Sequence, residues 1–203
     1  MRKKIIERPP SPRQRMINLM YIVLLAMLAM NISSDVLNGF TLVEESLSRS
    51  TSNATIQNEA VYKEFAASDS INHEKVGEWY NKALSVKSMS DSLYNFAGEL
   101  KELIAKEADG KKAEINNLQN KEDLEAATQV MLSPTKGRGQ DLYNAINSYR
   151  DRILEMIDNP VQRDIISNNF STDVPDKSGA LNKNWQEYNF ENMPAVAAIT
   201  LLT

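Results

Sequence analysis

The chain has 203 residues, carries a formal net charge of −4 and contains no cysteine. That length accommodates one domain with an appended segment, or two small domains. The missing cysteine excludes disulfide frameworks, thiolate metal sites, cysteine nucleophiles and lipoprotein anchoring. Six basic residues and one acidic residue lie in the first fifteen positions, whereas acidic residues predominate afterwards. This asymmetry argues against nucleic-acid binding by the main body and is typical of a cytoplasmic head before a membrane span.

An apolar stretch follows the basic residues. Between positions 16 and 32 only Asn18 and Asn31 are polar, and the helical pattern continues through Val36, Leu37 and Phe40. A helix over 16–40 is about 37 Å long, which is enough to cross a hydrocarbon core of about 30 Å. A cleaved signal has a shorter apolar core and a small-residue cleavage site, whereas this pattern runs on without a clean site. Charged and polar runs at membrane width also disfavour a buried helix of a soluble protein.

The sequence therefore predicts a cytoplasmic basic segment over 1–15, a single transmembrane helix over 16–40, a linker over 41–54 and a periplasmic domain over 55–203. The span has no ionisable residue at depth, so any proton-binding carboxylate must belong to a partner. Arg13 lies at its cytoplasmic mouth, where it either snorkels outward or pairs with a partner's acid.

Residues at three-to-four spacing form two stripes on this helix. They are Tyr21, Leu25, Leu28, Ile32 and Asp35 on one stripe, and Met16, Met20, Val23, Met27 and Met30 on the other. Lipid contact alone needs no such pattern, but the two asparagines favour a neighbouring helix that hydrogen-bonds them. We predict a parallel homodimer and helix packing at six positions, namely Met20, Leu24, Leu25, Met27, Leu28 and Asn31.

The remainder of the chain predicts a helical bundle, because apolar residues recur at three-to-four spacing between short breaks. Helices are expected over 55–67, 73–106, 122–132 and 140–157, with a turn at 108–112. Residues 167–194 are polar and turn-rich but contain Phe170, Trp185, Tyr188 and Phe190. These aromatic residues are expected to pack on their own domain rather than form an exposed binding site. The final apolar stretch, "AVAAITLLT", predicts a helix, and we expect the protein to continue beyond Thr203.

No catalytic or metal-binding constellation is recognisable. His73 is the single histidine and is expected at the surface or at a helix start. Glu44 and Glu45 are expected on a solvated helix face. The stretch 136–141 has two glycines but lacks the spacing and Lys-Ser/Thr ending of a phosphate loop. We expect neither an enzyme nor a cofactor.

The stretch "SPRQRMINLMYIVLLAMLAMNISSDVLNGF" resembles the N-terminus of the GldM/PorM family of type IX secretion and gliding proteins. The matching residues are a Pro-Arg-Gln run at 12–14, the run 16–21 and the run 26–31. Near the other end, "NKNWQEYNFENMPAVAAITLL" also resembles the first periplasmic domain of this family.

The resemblance implies an inner-membrane motor subunit with a cytoplasmic N-terminus and a periplasmic body. Two copies would pass through a ring of a multi-span GldL/PorL-like partner, convert proton-motive force into motion, and reach outer-membrane secretion components through further domains. It places Arg13 near the acid of the ring and favours pairing of Arg13 over snorkelling. We predict that Asn18 and Tyr21 also contact the ring. A membrane-anchored helical sensor and a passive structural anchor are the alternatives, and a sensor needs a concave pocket, for example at Trp185 and Tyr188.

Overall fold

The structure, a computed structural model, describes residues 11–30, 33–175 and 183–203. Every regular element in these ranges is helical, and the prediction of an all-α fold is confirmed for them. The helices are α1 (Pro12–Met30), α2 (Ser34–Ile71), α3 (His73–Asp109), α4 (Ala126–Leu132), α5 (Gly139–Met156), α6 (Pro160–Asn169), α7 (Trp185–Phe190) and α8 (Ala195–Leu201). A short 3₁₀ helix, Ile115–Asn117, lies between α3 and α4.

The chain divides into two compact units, of which the first ends at Val36 and the second spans Leu37–Thr203. In the first unit, α1 begins with a proline at its first position, and the Ser11 hydroxyl accepts a hydrogen bond from the Gln14 backbone N–H at 3.3 Å. Proline has no N–H to leave unpaired there, and the serine satisfies one of the free N–H groups of the first turn.

The second unit is built on two helices of nearly equal length, α2 and α3. The Asn72 side chain accepts a hydrogen bond from the Lys75 backbone N–H and so caps the start of α3. Tyr62 donates to the Ala83 carbonyl at 3.2 Å, and the rings of Phe65 and Tyr80 meet edge to face at 5.7 Å. Phe65 lies further along α2 than Tyr62, but its partner Tyr80 lies nearer the start of α3 than Ala83 does. The two helices therefore form an antiparallel hairpin.

The core surrounds the C-terminal half of α3. Leu100 and Ile104 are fully buried there, and α3 packs against α4, α5 and α8. Other large buried side chains of the domain include Met131, Leu142, Ile153, Phe190, Val196 and Ile199. Short helices complete the core, and groups in the loops satisfy the free backbone N–H groups at the starts of these helices. For example, Asp123 accepts from the Ala126 N–H at the start of α4, and its carbonyl accepts from Ala195 at the start of α8.

Several sequence-based boundaries were wrong. Residues 41–54, expected as a linker, are part of α2, which continues to Ile71 rather than 67. Leu37 and Phe40, assigned to the apolar helix by their pattern, lie instead in the second unit, where Leu37 is buried. Helix α4 begins at Ala126, four residues later than expected, because residues 122–125 form turns.

Two short helices were also missed. Helix α6 follows Asn159, whose side chain caps it, and Pro160 occupies its first position. Helix α7 starts with a reciprocal capping box between Asn184 and Glu187. The predicted helices that became α3 and α5, the turn after Asp109 and the terminal helix α8 are confirmed.

Candidate functional site

The predicted partner-contact residues lie on α1, whose apolar side chains remain uncovered. All its apolar residues with described side chains are exposed, including Met16, Leu19, Ile22 and Val23. They point in every direction around the helix axis rather than along one stripe. A surface of this kind is stable only when lipid or other apolar helices cover it.

Two of the predicted ring contacts, Arg13 and Asn18, lie near the start of α1. Arg13 is exposed and makes no ion pair with any described residue. The Asn18 side-chain oxygen accepts a hydrogen bond from the Gln14 side-chain amide at 3.1 Å. This intrahelical bond fills one of the two acceptor positions of the Asn18 carbonyl, so a partner helix is needed chiefly for the amide hydrogens of Asn18.

The third predicted ring contact, Tyr21, is exposed, as are the packing residues Met20, Leu24 and Leu25. The side chains of Met27 and Leu28, and the whole of Asn31, lie outside the described residues. Packing at these positions therefore stays a prediction.

Over the residues with described structure, no helix is both long enough and apolar enough to cross a membrane. The predicted span over 16–40 passes through Asn31 and Ile32, which lie outside the described residues. Most of the predicted cytoplasmic segment over 1–15 lies outside them as well. The membrane span and its topology thus stay predictions.

A polar cluster in the second unit was not predicted. Glu44, expected on a solvated face, is only 8% exposed, and this expectation was wrong. Its Oε1 lies 3.5 Å from Thr203 Oγ1, which in turn accepts from Lys101 Nζ at 3.2 Å. A second lysine, Lys121, donates to the Thr41 hydroxyl at 3.1 Å.

This cluster fastens the N-terminal end of α2 to the domain. The Thr200 hydroxyl of α8 donates to the Val196 carbonyl of its own helix at 2.8 Å and lies 3.3 Å from the Phe40 carbonyl, so it shares its one proton between the two helices. Sequence reasoning missed the cluster because its members are separated by up to 160 positions in the chain. Only the tertiary fold brings them together.

The aromatic residues of 167–194 pack mainly on their own domain, as expected. Phe170 meets Tyr149 edge to face at 5.1 Å, and Trp185 meets both Tyr143 and Phe190. Phe190 is fully buried, whereas Tyr188 remains 39% exposed. The aromatic residues therefore stabilise the fold.

Several of these aromatic residues also border a cavity of about 480 Å³. Tyr94, Tyr149, Phe170 and Trp185 line it, and no charged residue does. Hydrogen bonds join some of its polar groups to each other, such as the Ser90 and Tyr149 hydroxyls at 2.8 Å. Tyr188 does not line this cavity.

The remaining candidates contribute no site. His73 is the first residue of α3, is mostly exposed, and its Nδ1 lies 2.9 Å from Asp69 Oδ1, as expected for a residue at a helix start. The stretch 136–141 forms the turn into α5, where Gly139 approaches the Met131 carbonyl too closely for any side chain. Within the described ranges, no group of three His, Asp or Glu residues is arranged to hold a metal ion.

The family of the chain follows from comparison with known proteins. A family model described as the GldM N-terminal domain matches residues 35–203, which is most of the chain. The match begins at Asp35, next to the boundary between the two units, and covers the whole helical domain. A comparison with curated proteins gave no match. The chain therefore belongs to the GldM family, whose members are components of gliding motility and type IX secretion.

Proposed function

We propose that the chain is an inner-membrane motor subunit of this machinery, with a mechanical role and no catalytic one. In this role it uses the proton-motive force, together with a ring-forming partner, to produce motion that drives secretion and gliding. Membership of the GldM family supports the pathway. The observation that carries the motor role is α1, an uncovered apolar helix with an unpaired arginine among the described residues at its start.

The uncovered surface of α1 fits a helix that is enclosed by other helices. A second copy of the chain and a ring of a GldL/PorL-like membrane protein would cover most of it, and lipid the remainder. Tyr21 and the free amide hydrogens of Asn18 would supply polar contacts to the ring. Because the other contacts are apolar, they would permit sliding or rotation with small changes in free energy.

Arg13 would couple the helix to proton flow. A nearby cation lowers the pKa of a carboxyl group, so ring acids beside Arg13 would be charged, whereas acids that face lipid would be neutral. Two helices inside a ring with a different number of subunits cannot approach every acid equally. Protonation at the ring would then change which acids attract the helices, and this would produce relative motion.

The proposed topology can be tested because the chain has no cysteine. We expect Ser50→Cys to react with a membrane-impermeant maleimide in intact cells, and Ser11→Cys to react only after the inner membrane is permeabilised. Labelling of both residues in intact cells, or recovery of a protein that starts after Asn31, would contradict an uncleaved span with a cytoplasmic N-terminus.

The proposed packing can be tested with the same cysteine-free background. Single cysteines from Tyr21 to Ile32 should give crosslinks to a second copy or to the ring partner, with a helical period of about 3.6 residues. Cysteines on the exposed face of α3, for example at Ser92, serve as controls and should give none. Uniformly absent crosslinks along α1 would oppose a packed helix.

The aromatic cavity favours a second candidate function, a membrane-anchored sensor. Its volume of about 480 Å³ and its mainly apolar lining lie in the range of small-molecule sites. Trp185 would report occupancy through its fluorescence. A neutral aromatic compound that quenches Trp185, and that loses this effect in Tyr149→Ala but not in Tyr188→Ala, would support the sensor. Without such quenching, the cavity is a packing feature.

A further inference from the structure

The middle of α2 is almost completely unpacked. Over residues 45–61, which we call the mid-α2 segment, every residue is exposed except the half-buried Thr51. At about 1.5 Å per residue, this segment is roughly 25 Å long. Most of the stability of helices in proteins comes from tertiary packing, so an unpacked segment depends on its own sequence and its ends.

The sequence of the mid-α2 segment is poor for a helix. Residues 46–55 read "SLSRSTSNAT", in which seven of ten residues are Ser, Thr or Asn. These side chains compete for backbone hydrogen bonds and lower helix propensity. The Thr55 hydroxyl donates to the Thr51 carbonyl at 2.9 Å, an interaction that bends helices and weakens them slightly.

Both ends of the segment are fastened to the domain. On the N-terminal side, Glu44 is buried and Phe40 accepts a hydrogen bond from Thr200. On the C-terminal side, Tyr62 bonds the Ala83 carbonyl and Phe65 packs on Tyr80. The segment therefore bridges two fixed points, and its own contacts with the domain are few.

Open space lies beside the segment. A cavity of about 480 Å³ includes Ser48 and Arg49, and another of about 500 Å³ includes Ser52, Thr55 and Glu59. A helix with space on its inner side can bend inward without first displacing packed side chains. The two cavities therefore leave room for movement.

We propose that the mid-α2 segment is a compliant element, which bends and opens locally while both ends of α2 stay attached. Segments with few buried contacts and exposed backbone hydrogen bonds open at low free energy. The compliance itself follows from packing and sequence. A role in storing or passing on motion rests on the proposed function.

Hydrogen exchange of the full chain in detergent tests this inference. We expect amides of the mid-α2 segment to exchange at least about a hundredfold faster than those around Leu100, Ile104 and Ala105, which open only with the core. Equal protection in the two regions would overturn the proposal. Protection of the segment that disappears on dilution would also overturn it, because a second copy would then be covering the segment.

A helix-stabilising variant sharpens the test. Replacing Ser48, Ser50 and Ser52 by Ala should slow exchange in the segment by roughly tenfold, because alanine is the better helix former at each position. The matched control replaces three exposed α3 serines, Ser85, Ser88 and Ser92, by Ala and should leave exchange in the segment unchanged. An unchanged segment in the first variant would contradict local opening. These results hold whether or not the protein is a motor subunit.

Discussion

Helices α2 and α3 have nearly the same length, yet they are stabilised in different ways. Helix α3 contributes Leu100, Ile104 and Ala105 to the core, whereas α2 buries only Leu37 and Glu44, both near its start. The length and continuity of a helix therefore do not indicate how strongly it is stabilised. One helix is held along its core-facing half, and the other is held mainly near its two ends.

The largest expected difference is between a core leucine on α3 and an exposed leucine on α2. Leu100→Ala should lower the free energy of unfolding by about 2–5 kcal/mol, because it leaves a cavity in a closed core. Leu47→Ala, at a side chain that is 41% exposed, should change the free energy of unfolding by less than about 0.5 kcal/mol. Urea unfolding followed by circular dichroism measures both. Similar losses would mean that α2 is packed as tightly as α3.

The attachment of α2 near its start should be the next most sensitive feature. Thr200→Val removes the hydroxyl that lies 3.3 Å from the Phe40 carbonyl and 2.8 Å from the Val196 carbonyl of α8, and should cost about 1–2 kcal/mol in unfolding free energy. Thr55→Val, at an exposed threonine within the mid-α2 segment, is the control and should change stability by at most about 0.5 kcal/mol. If Thr200→Val is neutral, Thr200 does not help to fasten α2.

The junction between α2 and α3 should contribute less. Asn72→Ala removes the side-chain cap on the Lys75 N–H and should cost about 1 kcal/mol. Asn81→Ala, on the exposed surface of α3, should be neutral or slightly stabilising because alanine favours helix. The midpoint of thermal unfolding distinguishes the two variants. Equal shifts of the unfolding midpoint in the two variants would mean that the Asn72 cap does not stabilise the junction.

The smallest effect is expected at the far attachment of α2. Tyr62→Phe removes the hydrogen bond to the Ala83 carbonyl and should cost about 0.5–1 kcal/mol. Tyr94→Phe, at an exposed tyrosine, is the control and should have no measurable effect on stability. A neutral Tyr62→Phe variant would show that ring packing alone fastens this end.

Tyr62 also gives a dependence on pH. Burial raises the pKa of its hydroxyl above the ordinary value of 10.0, so the folded state favours the neutral form. The resulting stability is present below pH 10 and is lost as pH rises through the raised pKa. Stability of Tyr62→Phe should therefore decline less steeply above about pH 10. Identical alkaline profiles would contradict this cause.

Local sequence patterns predicted the elements that local physics determines. The apolar periodicity of α3 and α5 survives in the structure because each helix buries one face in the core. The sequence also contains start signals for α6 and α7, the two helices that were not predicted. Asn159 directly before Pro160, and Asn184 three residues before Glu187, are helix-start patterns.

Other features depend on contacts that a single sequence does not reveal. The Ser- and Thr-rich stretch of α2 predicts a linker from its sequence alone. It is helical in the structure, where the parts of α2 on either side of it are attached to the domain. The burial of Glu44 depends on α8 and Thr203 at the other end of the chain. For α1, sequence resemblance supplied the proposed partners, whereas the structure supplied the exposure of its side chains.

The proposed motor role is tested most directly by the rate of type IX secretion in cells that carry Arg13→Ala, with co-purification of the ring partner as a measure of assembly. Arg15→Ala is the matched control, because it removes the same charge two positions away on a different face of α1. We expect Arg13→Ala to abolish or sharply reduce secretion in an assembled complex, Arg13→Lys to be milder, and Arg15→Ala to secrete normally. Secretion at the wild-type rate in Arg13→Ala would contradict the proposed coupling.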